Sequence, residues 1–331
     1  MKKRDTVMRR LQDIDLKLLR SFRAIVEAGG ISAAQGVLNT SQSTLSTQLG
    51  ELEARLGFTL CRRGRGGFAL TREGAALLEA LDDLTSAAER FQNAVATISG
   101  DMRGVLRLGV MDAMLSNSAW PLHEVIARFS KKARETSVDL ALIAPGKMEA
   151  ALLDGRRDVV IGPFPQQVST LSYVPLFQER HAIYASADHP LAQAEEVSLP
   201  ELAAHGLAAT AGELNRFPFF RGLGGAKTSA DDGAVYLSAT VDQMESHAIL
   251  IKSGRYVGFL PDYIAETTGG FVRLRTVPDL QYQSPIYLAH RQDAELNTIL
   301  RAFLAIAAAQ PLLPGALMQS GAISHLDLMK S

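Results

Sequence analysis

The stretch Ser41–Gly57, SQSTLSTQLGELEARLG, decides how this chain is read. Its leucines Leu45, Leu49, Leu52 and Leu56 follow one another at spacings of four, three and four, which places them on one stripe of a helix. The first half is otherwise filled with Ser, Thr and Gln. Short hydroxyl side chains compete with the backbone for hydrogen bonds and are weak helix formers, so helix propensity did not select them. With Leu45 and Leu49 turned inward, Ser43, Thr44, Thr47 and part of Gln48 face the other way, and Ser41 can cap the helix.

Upstream, Asp15 can cap a helix whose apolar positions are Leu16, Leu19, Phe22, Ile25 and Val26, and Gly29-Gly30 ends it. A short second helix runs from Ser32 to about Leu38, and Asn39-Thr40 turns the chain into the third. Helix, turn, helix with a polar outer face is the arrangement whose second helix lies in a DNA major groove. Hydroxyls can meet base edges there, Gln can pair with adenine, and the helix N-terminus favours phosphate. The competing reading is a solvated face of an ordinary three-helix bundle. Downstream, Phe58–Thr71 reads as a strand, a flexible Arg/Gly tip and a return strand, a wing whose Arg62, Arg63 and Arg65 can reach phosphates or the minor groove. Charge agrees. Met1 to Arg72 holds 13 Lys and Arg against 6 Asp and Glu, while the remainder holds 21 against 29. A basic head on an acidic body points to a polyanion partner for the head.

At this point the chain resembles the LysR-type transcriptional regulators. The resemblance rests on Ala33-Ala34, Leu38, Ser41-Gln42, Ser46, Leu52-Glu53, Leu56-Gly57, Leu60, Arg63, Leu70-Thr71 and Gly74. Cys61 stands where the family usually has Phe, and it reads as a small buried apolar replacement. The expected DNA contacts are Ser32, Ser41, Gln42, Ser43, Thr44, Ser46, Thr47 and Gln48 on the helices, with Arg62, Arg63 and Arg65 on the wing.

Thr71 can cap a helix reaching about Ser99, roughly 42 Å long at about 1.5 Å per residue. Along it Leu77, Leu81, Leu84, Ala88, Phe91, Val95 and Ile98 alternate spacings of four and three, a seam that specifies a partner helix unless the helix packs on its own domain. The resemblance implies a dimerising linker helix, a homodimer that can pair into a homotetramer, and RNA polymerase as a candidate further partner.

A hinge near Ser99-Gly100 and Gly104 leads to the body. Strands at 105–110, 138–143 and 158–161 alternate with helices at about 119–129 and 148–153, as in a parallel doubly wound sheet. The run stops at Gly162-Pro163. A second unit has strands near 181–184, 206–209 and 257–260, and 284–288 with the helix 296–308 returns to the first. Two α/β lobes crossed twice make a hinged binding fold, and ligands in such sheets sit beyond the carboxyl ends of strands. Pro175-Leu176-Phe177, Asp188–Leu191 and Gly254–Pro261 also resemble the family's effector domain. The expected architecture is a winged helix-turn-helix domain over 1–70, a linker helix over 71–99, and a two-lobed, periplasmic-binding-protein-like effector domain over 100–331. Its first lobe takes about 100–163 and 272–331, and its second about 164–271.

Strand ends give Asp112, Ser116, Asn117, Gly146, Lys147, Thr210 and Thr240 as effector-site candidates. Ser116 and Asn117 read equally as loop caps, Lys147 as a solvated charge, and Thr240 with Gln243 as a capping box for a helix over 241–253. Lys147 in the cleft would favour a small carboxylate.

The 331 residues include a single cysteine, which excludes an internal disulfide framework and fits a reducing compartment. The basic N-terminus lacks an apolar run behind it, and no stretch approaches the roughly 18 apolar residues of a membrane span, so a cytoplasmic, nucleoid-associated protein without a membrane partner is expected. The scattered histidines show no metal-ligand spacing, and no cofactor is expected. Arg221–Thr228 resembles a phosphate loop only superficially, because Arg221 and Ala226 occupy the required glycines. With no nucleophile elbow or dinucleotide fingerprint, an enzyme is not expected. The alternative is a two-domain α/β ligand-binding protein or enzyme without a DNA role.

Overall fold

The computed structural model describes residues 12–64, 67–98, 102–210, 212–213, 217, 220–221, 235–277, 279–292 and 297–310. It divides into two compact units, Met1–Arg90 and Phe91–Ser331.

The first unit carries α1 (Asp13–Glu27), α2 (Ile31–Leu38), α3 (Gln42–Leu56), a hairpin of β1 (Cys61–Gly64) and β2 (Gly67–Leu70), and most of α4 (Arg72–Ile98). Its core joins Leu18, Leu19, Phe22, Ile25, Ala34, Leu45, Leu49, Leu52, Leu60, Cys61 and Leu81. Two expectations for α1 are corrected. Gln12, not Asp15, holds the cap position, and the Asp15 carboxylate accepts the Gln12 N–H at 2.9 Å from inside the first turn. That phase puts Leu18, Leu19, Phe22 and Ile25 on the buried face and leaves Leu16 exposed. Asp15 is itself buried and meets Arg55 Nη1 of α3 at 3.2 Å, which ties the two helices together.

The wing is pinned to α3 by Glu53, whose carboxylate accepts the N–H groups of Leu60 at 2.7 Å and Cys61 at 3.3 Å. Thr71 caps α4 as expected, accepting the Gly74 N–H at 2.9 Å. Along α4 the expected seam divides. Leu81 is buried in the head core, with Leu77 and Leu84 packed against it, while Ala88, Phe91 and Val95 are exposed. The side chain of Ile98 lies outside the described residues.

The second unit is built on a ten-stranded sheet, counted among the described residues. In chain order come β3 (Gly104–Val110), α5 (Leu122–Lys132), β4 (Thr136–Leu142), α6 (Met148–Leu153), β5 (Val159–Pro163), the long β6 (Leu171–Ser186), β7 (Val197–Ser198), α7 (Leu199–Ala204), β8 (Gly206–Ala209), β9 (Phe220–Arg221) and β10 (Val235–Thr240). Then follow α8 (Met244–Lys252), β11 (Tyr256–Pro261), α9 (Asp262–Thr268), β12 (Phe271–Arg273), β13 (Thr276–Val277), β14 (Gln281–Arg291) and α10 (Thr298–Ala308). The sheet order is β4-β3-β5-β14-β6-β11-β8-β10-β9, with β12 also on β6 and the short β7 and β13 paired separately. β3 runs parallel to β4 and β5, and β8 parallel to β10 and β11. Each parallel set makes one lobe.

The lobes share β6 and β14, which pair antiparallel from Gln281↔Ala182 to Arg291↔Leu171. The lobe changes therefore lie along these strands and not at the expected positions near 164 and 272. Phe164, Leu171, Leu176 and Phe177 still belong to the first lobe's core, and Leu274 and Leu280 to the second's. α5 begins at Leu122, later than expected, because the Asn117 side chain accepts the Ala119 and Trp120 N–H groups and Pro121 precedes the first turn. α8 begins at Met244 because β10, past a register shift between Leu237 and Ala239, stays paired with β8 as far as Thr240, opposite Ala209.

Candidate nucleic-acid interface and effector cleft

Ser41 accepts the Thr44 N–H at 3.2 Å and fixes the start of α3. Its hydroxyl also meets Ser43 Oγ at 2.9 Å and Thr44 Oγ1 at 2.8 Å, and Thr47 Oγ1 donates back to the Ser43 carbonyl at 3.0 Å. These exposed hydroxyls satisfy one another, so the tip of α3 is an ordered polar surface before any partner arrives. Gln42 and Ser32 are exposed, and Gln42 makes no side-chain hydrogen bond among the described residues. Ser46 is half-buried. Gln48 departs from the expectation: Ser21 Oγ of α1 donates to its Oε1 at 2.7 Å, a bond that holds two helices together. Arg62 is exposed on β1, the Arg63 side chain is not among those described, and Arg65 lies outside the described residues. The structure thus brings Ser41, Gln42, Ser43, Thr44 and Thr47 onto one uncharged patch at a helix N-terminus, and the exposed cation Arg62 stands on the hairpin that follows α3.

In the body, the loop after β3 sends Asp112 across to the second lobe. Its Oδ2 accepts the Glu245 N–H in the first turn of α8 at 2.7 Å. The carboxyl is pushed above its ordinary range chiefly by burial, against the lowering effect of the backbone N–H groups around it. Nearby on β6, Glu179 and His181 lie two residues apart, on one face of the strand. Glu179 accepts from Tyr263 Oη of α9 at 2.7 Å, and His181 Nε2 stands 3.2 Å from its other oxygen. Burial and the negative charge of Glu179 push the Tyr263 phenol well up. His181 stacks on Tyr282 of β14 with ring centroids 4.4 Å apart, and Tyr282 Oη donates to the buried Glu213 at 3.0 Å. His247 of α8 is fully buried, its Nε2 donating to the Ala208 carbonyl at 2.9 Å, and burial lowers its pKa. Gly258 permits that approach, since a Cβ there would lie 2.3 Å from the His247 Nε2.

Of the effector candidates, Asp112 and Asn117 reach the opposite lobe, Asn117 through a side-chain hydrogen bond with Tyr263 of α9. Asn117 is buried and spends its Oδ1 on the cap before α5, and Thr210 exchanges caps with Glu213. Ser116 is half-buried, Gly146 and Lys147 are exposed on a short turn before α6, and Thr240 ends β10 with an exposed side chain and takes no part in capping α8. Glu179 and Tyr263 escaped the sequence reading, although one signal was available. Glu179 and His181 recur with period two in the polar segment Gln178–His181, which directly precedes the largely apolar Ala182–Ser186 on the same strand. Among the described residues no group of three His, Cys, Asp or Glu side chains is placed to hold a metal ion, and no helix is long and apolar enough to cross a membrane.

Comparison with known proteins gives the same division. A family described as "Bacterial regulatory helix-turn-helix protein, lysR family" matches residues 16–75, and "LysR substrate binding domain" matches residues 99–311. The HTH-type transcriptional activator BauR of Pseudomonas aeruginosa is 29% identical over 307 residues, covering 92% of this chain and 97% of its own. The HTH-type transcriptional regulator MetR of Salmonella typhimurium is 25% identical, covering 88% and 89%. Among solved structures, CbnR, a LysR family transcriptional regulator, is 21% identical with a TM-score of 0.60, covering 89% of this chain and 98% of its own. A structure of full-length CbnR complexed with its target DNA matches with the same TM-score and identity, over 89% and 99% of the two chains. With a DNA-binding head and a substrate-binding body both matched, the chain belongs to the LysR family of bacterial transcriptional regulators.

Proposed function

We propose that this regulator reads its operator with Ser41, Gln42, Ser43, Thr44 and Thr47, while Arg62 and its wing neighbours hold the DNA backbone. The observation that carries this reading is the uncharged, self-bonded hydroxyl patch at the N-terminus of α3, standing on a buried leucine stripe. A helix tip without long cations approaches bases closely and leaves backbone contact to other elements. Ser32 and Ser46 flank the patch, and Gln48 supports it through Ser21. The exposed end of α4, with Ala88, Phe91 and Val95, pairs two chains, and Ile98 extends that seam. Leu77, Leu81 and Leu84 instead anchor the helix to its own head. Dimers then match the half-sites of a pseudo-palindromic operator.

A small molecule bound between the lobes, beyond the end of β3 and beside the middle of β6, shifts their equilibrium and so the spacing of the heads. Pairing of dimers into tetramers, contact with RNA polymerase, residence in the cytoplasm at the nucleoid and the lack of a catalytic role belong to the same reading. The name of the Pseudomonas relative as an activator favours activation over repression.

The test is selection of genomic fragments by the purified protein at moderate ionic strength. Selected promoter fragments should outcompete random DNA. Equal binding of all fragments, with and without small molecules, would defeat the reading.

A further inference from the structure

The groups gathered between the lobes are almost all hydrogen-bond acceptors. Asp112 from the first lobe and Glu179 from the crossing strand are both buried, at 8% and 6% exposure. They lie close enough for each to feel the other's charge. Asp112 is met by backbone N–H groups at the start of α8, and Glu179 by one phenol and one imidazole N–H. No Lys or Arg side chain among the described residues pairs with either. The neighbouring Arg180 is turned out to solvent and meets Asp262 at 3.2 Å.

Two further acceptors beside them lack partners. Gln243, at the cap position of α8, has a buried Oε1 with no hydrogen-bond partner. His181 is 4% exposed, and with its Nε2 turned to Glu179 its buried Nδ1 has none either. Buried acceptors without donors are costly, and two carboxylates without a cation more so.

We propose that the molecule held between the lobes is an organic cation rich in N–H donors, an ammonium or guanidinium compound, with Asp112 and Glu179 as its anionic partners and Gln243 Oε1 and His181 Nδ1 as further acceptors. This rests on the reading of the interlobe region as the effector site. An ammonium offers three donors and no acceptor, which is what this set lacks. An anionic effector would add a third negative charge, and the α8 N-terminus, where an anion would be favoured, already receives Asp112. Lys147 is exposed, and among the described residues no hydrogen bond or ion pair ties it to this group.

The experiment is calorimetry and thermal unfolding of the full-length protein with propylammonium, putrescine, agmatine and propionate as probes. At least one cation should bind and raise the melting temperature at about 10 mM, propionate should not, and Asp112→Asn or Glu179→Gln should weaken that cation by about tenfold or more. Asn and Gln keep an acceptor at each position, and either variant alone suffices if the other misfolds. Binding of propionate without any cation, no cation binding at all, or equal cation affinity in both variants would overturn the assignment. These results are separable from the regulator reading, which fails only if the unaltered protein selects no promoter DNA.

Discussion

Gly74 sits in the first turn of α4, where helix propensity alone would favour Ala by about 1 kcal/mol. The packing reverses that sign. A Cβ at Gly74 would stand 2.1 Å from the Leu60 carbonyl oxygen, 3.0 Å from its carbon and 3.2 Å from Leu70 Cδ2. The crowded oxygen is backbone, and it already accepts the Thr71 N–H at 2.9 Å and the Thr71 hydroxyl at 3.1 Å. Making room means moving α4 off the base of the wing or breaking those bonds. Overpacking by one methyl costs about 1–3 kcal/mol, and two strained hydrogen bonds add about 1–3 more. After subtracting propensity, Gly74→Ala should destabilise the head by about 1–5 kcal/mol. Trp120, the single tryptophan, lies in the body, so the head must be followed by far-UV circular dichroism or calorimetry and not by tryptophan fluorescence. Gly36→Ala is the control. Nothing lies within 4 Å of a Cβ there, and the substitution should stabilise the head by about 0.5–1 kcal/mol. If both variants stabilised the head equally, the close contact between α4 and the wing base would be refuted.

Gln42→Ala should cost about 1–3 kcal/mol at one operator position and relax the base preference there, measured by competition with single-base operator variants; an equal loss on every sequence would place Gln42 on the backbone. Arg62→Ala should reduce the slope of log affinity against log salt by about one, and an unchanged slope would remove this part of the wing from the interface. Phe91 is 70% exposed. Phe91→Ala should weaken the dimer in sedimentation by about 3 kcal/mol or more, since two such rings are buried per seam; unaltered association would send dimerisation elsewhere. His247 is held neutral below its ordinary value of 6.5 by burial. The unfolded chain therefore takes up a proton at a pH where the folded one does not. That contribution to stability is complete above pH 6.5 and is lost as pH falls through the lowered value. Trp120 fluorescence against pH should show the loss in the body, and His247→Gln should flatten it.

The stripe of Leu45, Leu49 and Leu52 and the Ser41 cap were legible because helical spacing and cap chemistry are local. So were α6 and β8, whose ends at 148–153 and 206–209 match the expected ones. Other features depend on what packs from far away. Leu16 and Leu18 differ by a phase that Gln12 sets from outside the apolar pattern. The seam of α4 reads as one continuous stripe, but spacing cannot say that Leu81 meets the chain's own head while Phe91 does not. Thr240 and Gln243 have the spacing of a capping box, yet strand pairing with Ala209 holds Thr240 in β10. The acidic pair in the cleft was hidden most deeply. Asp112 and Glu179 are 67 positions apart in sequence, and only the two crossing strands bring them together.

Those crossing strands carry a slip in register between Ile286 and Tyr287, where the partner residues step from Phe177 to Pro175 past Leu176. Pro285 adjoins it, so two residues without an N–H stand at the middle of the ribbon. A bulge concentrates twist and bending at one point. On either side the ladder is unbroken, which denies the lobes the wide swing that two independent linkers would give. A bound molecule can therefore deliver torque but little travel. Torsion is expected about residues 175–177 and 285–287, so substitutions there should change how faithfully occupancy becomes rotation without altering what is bound.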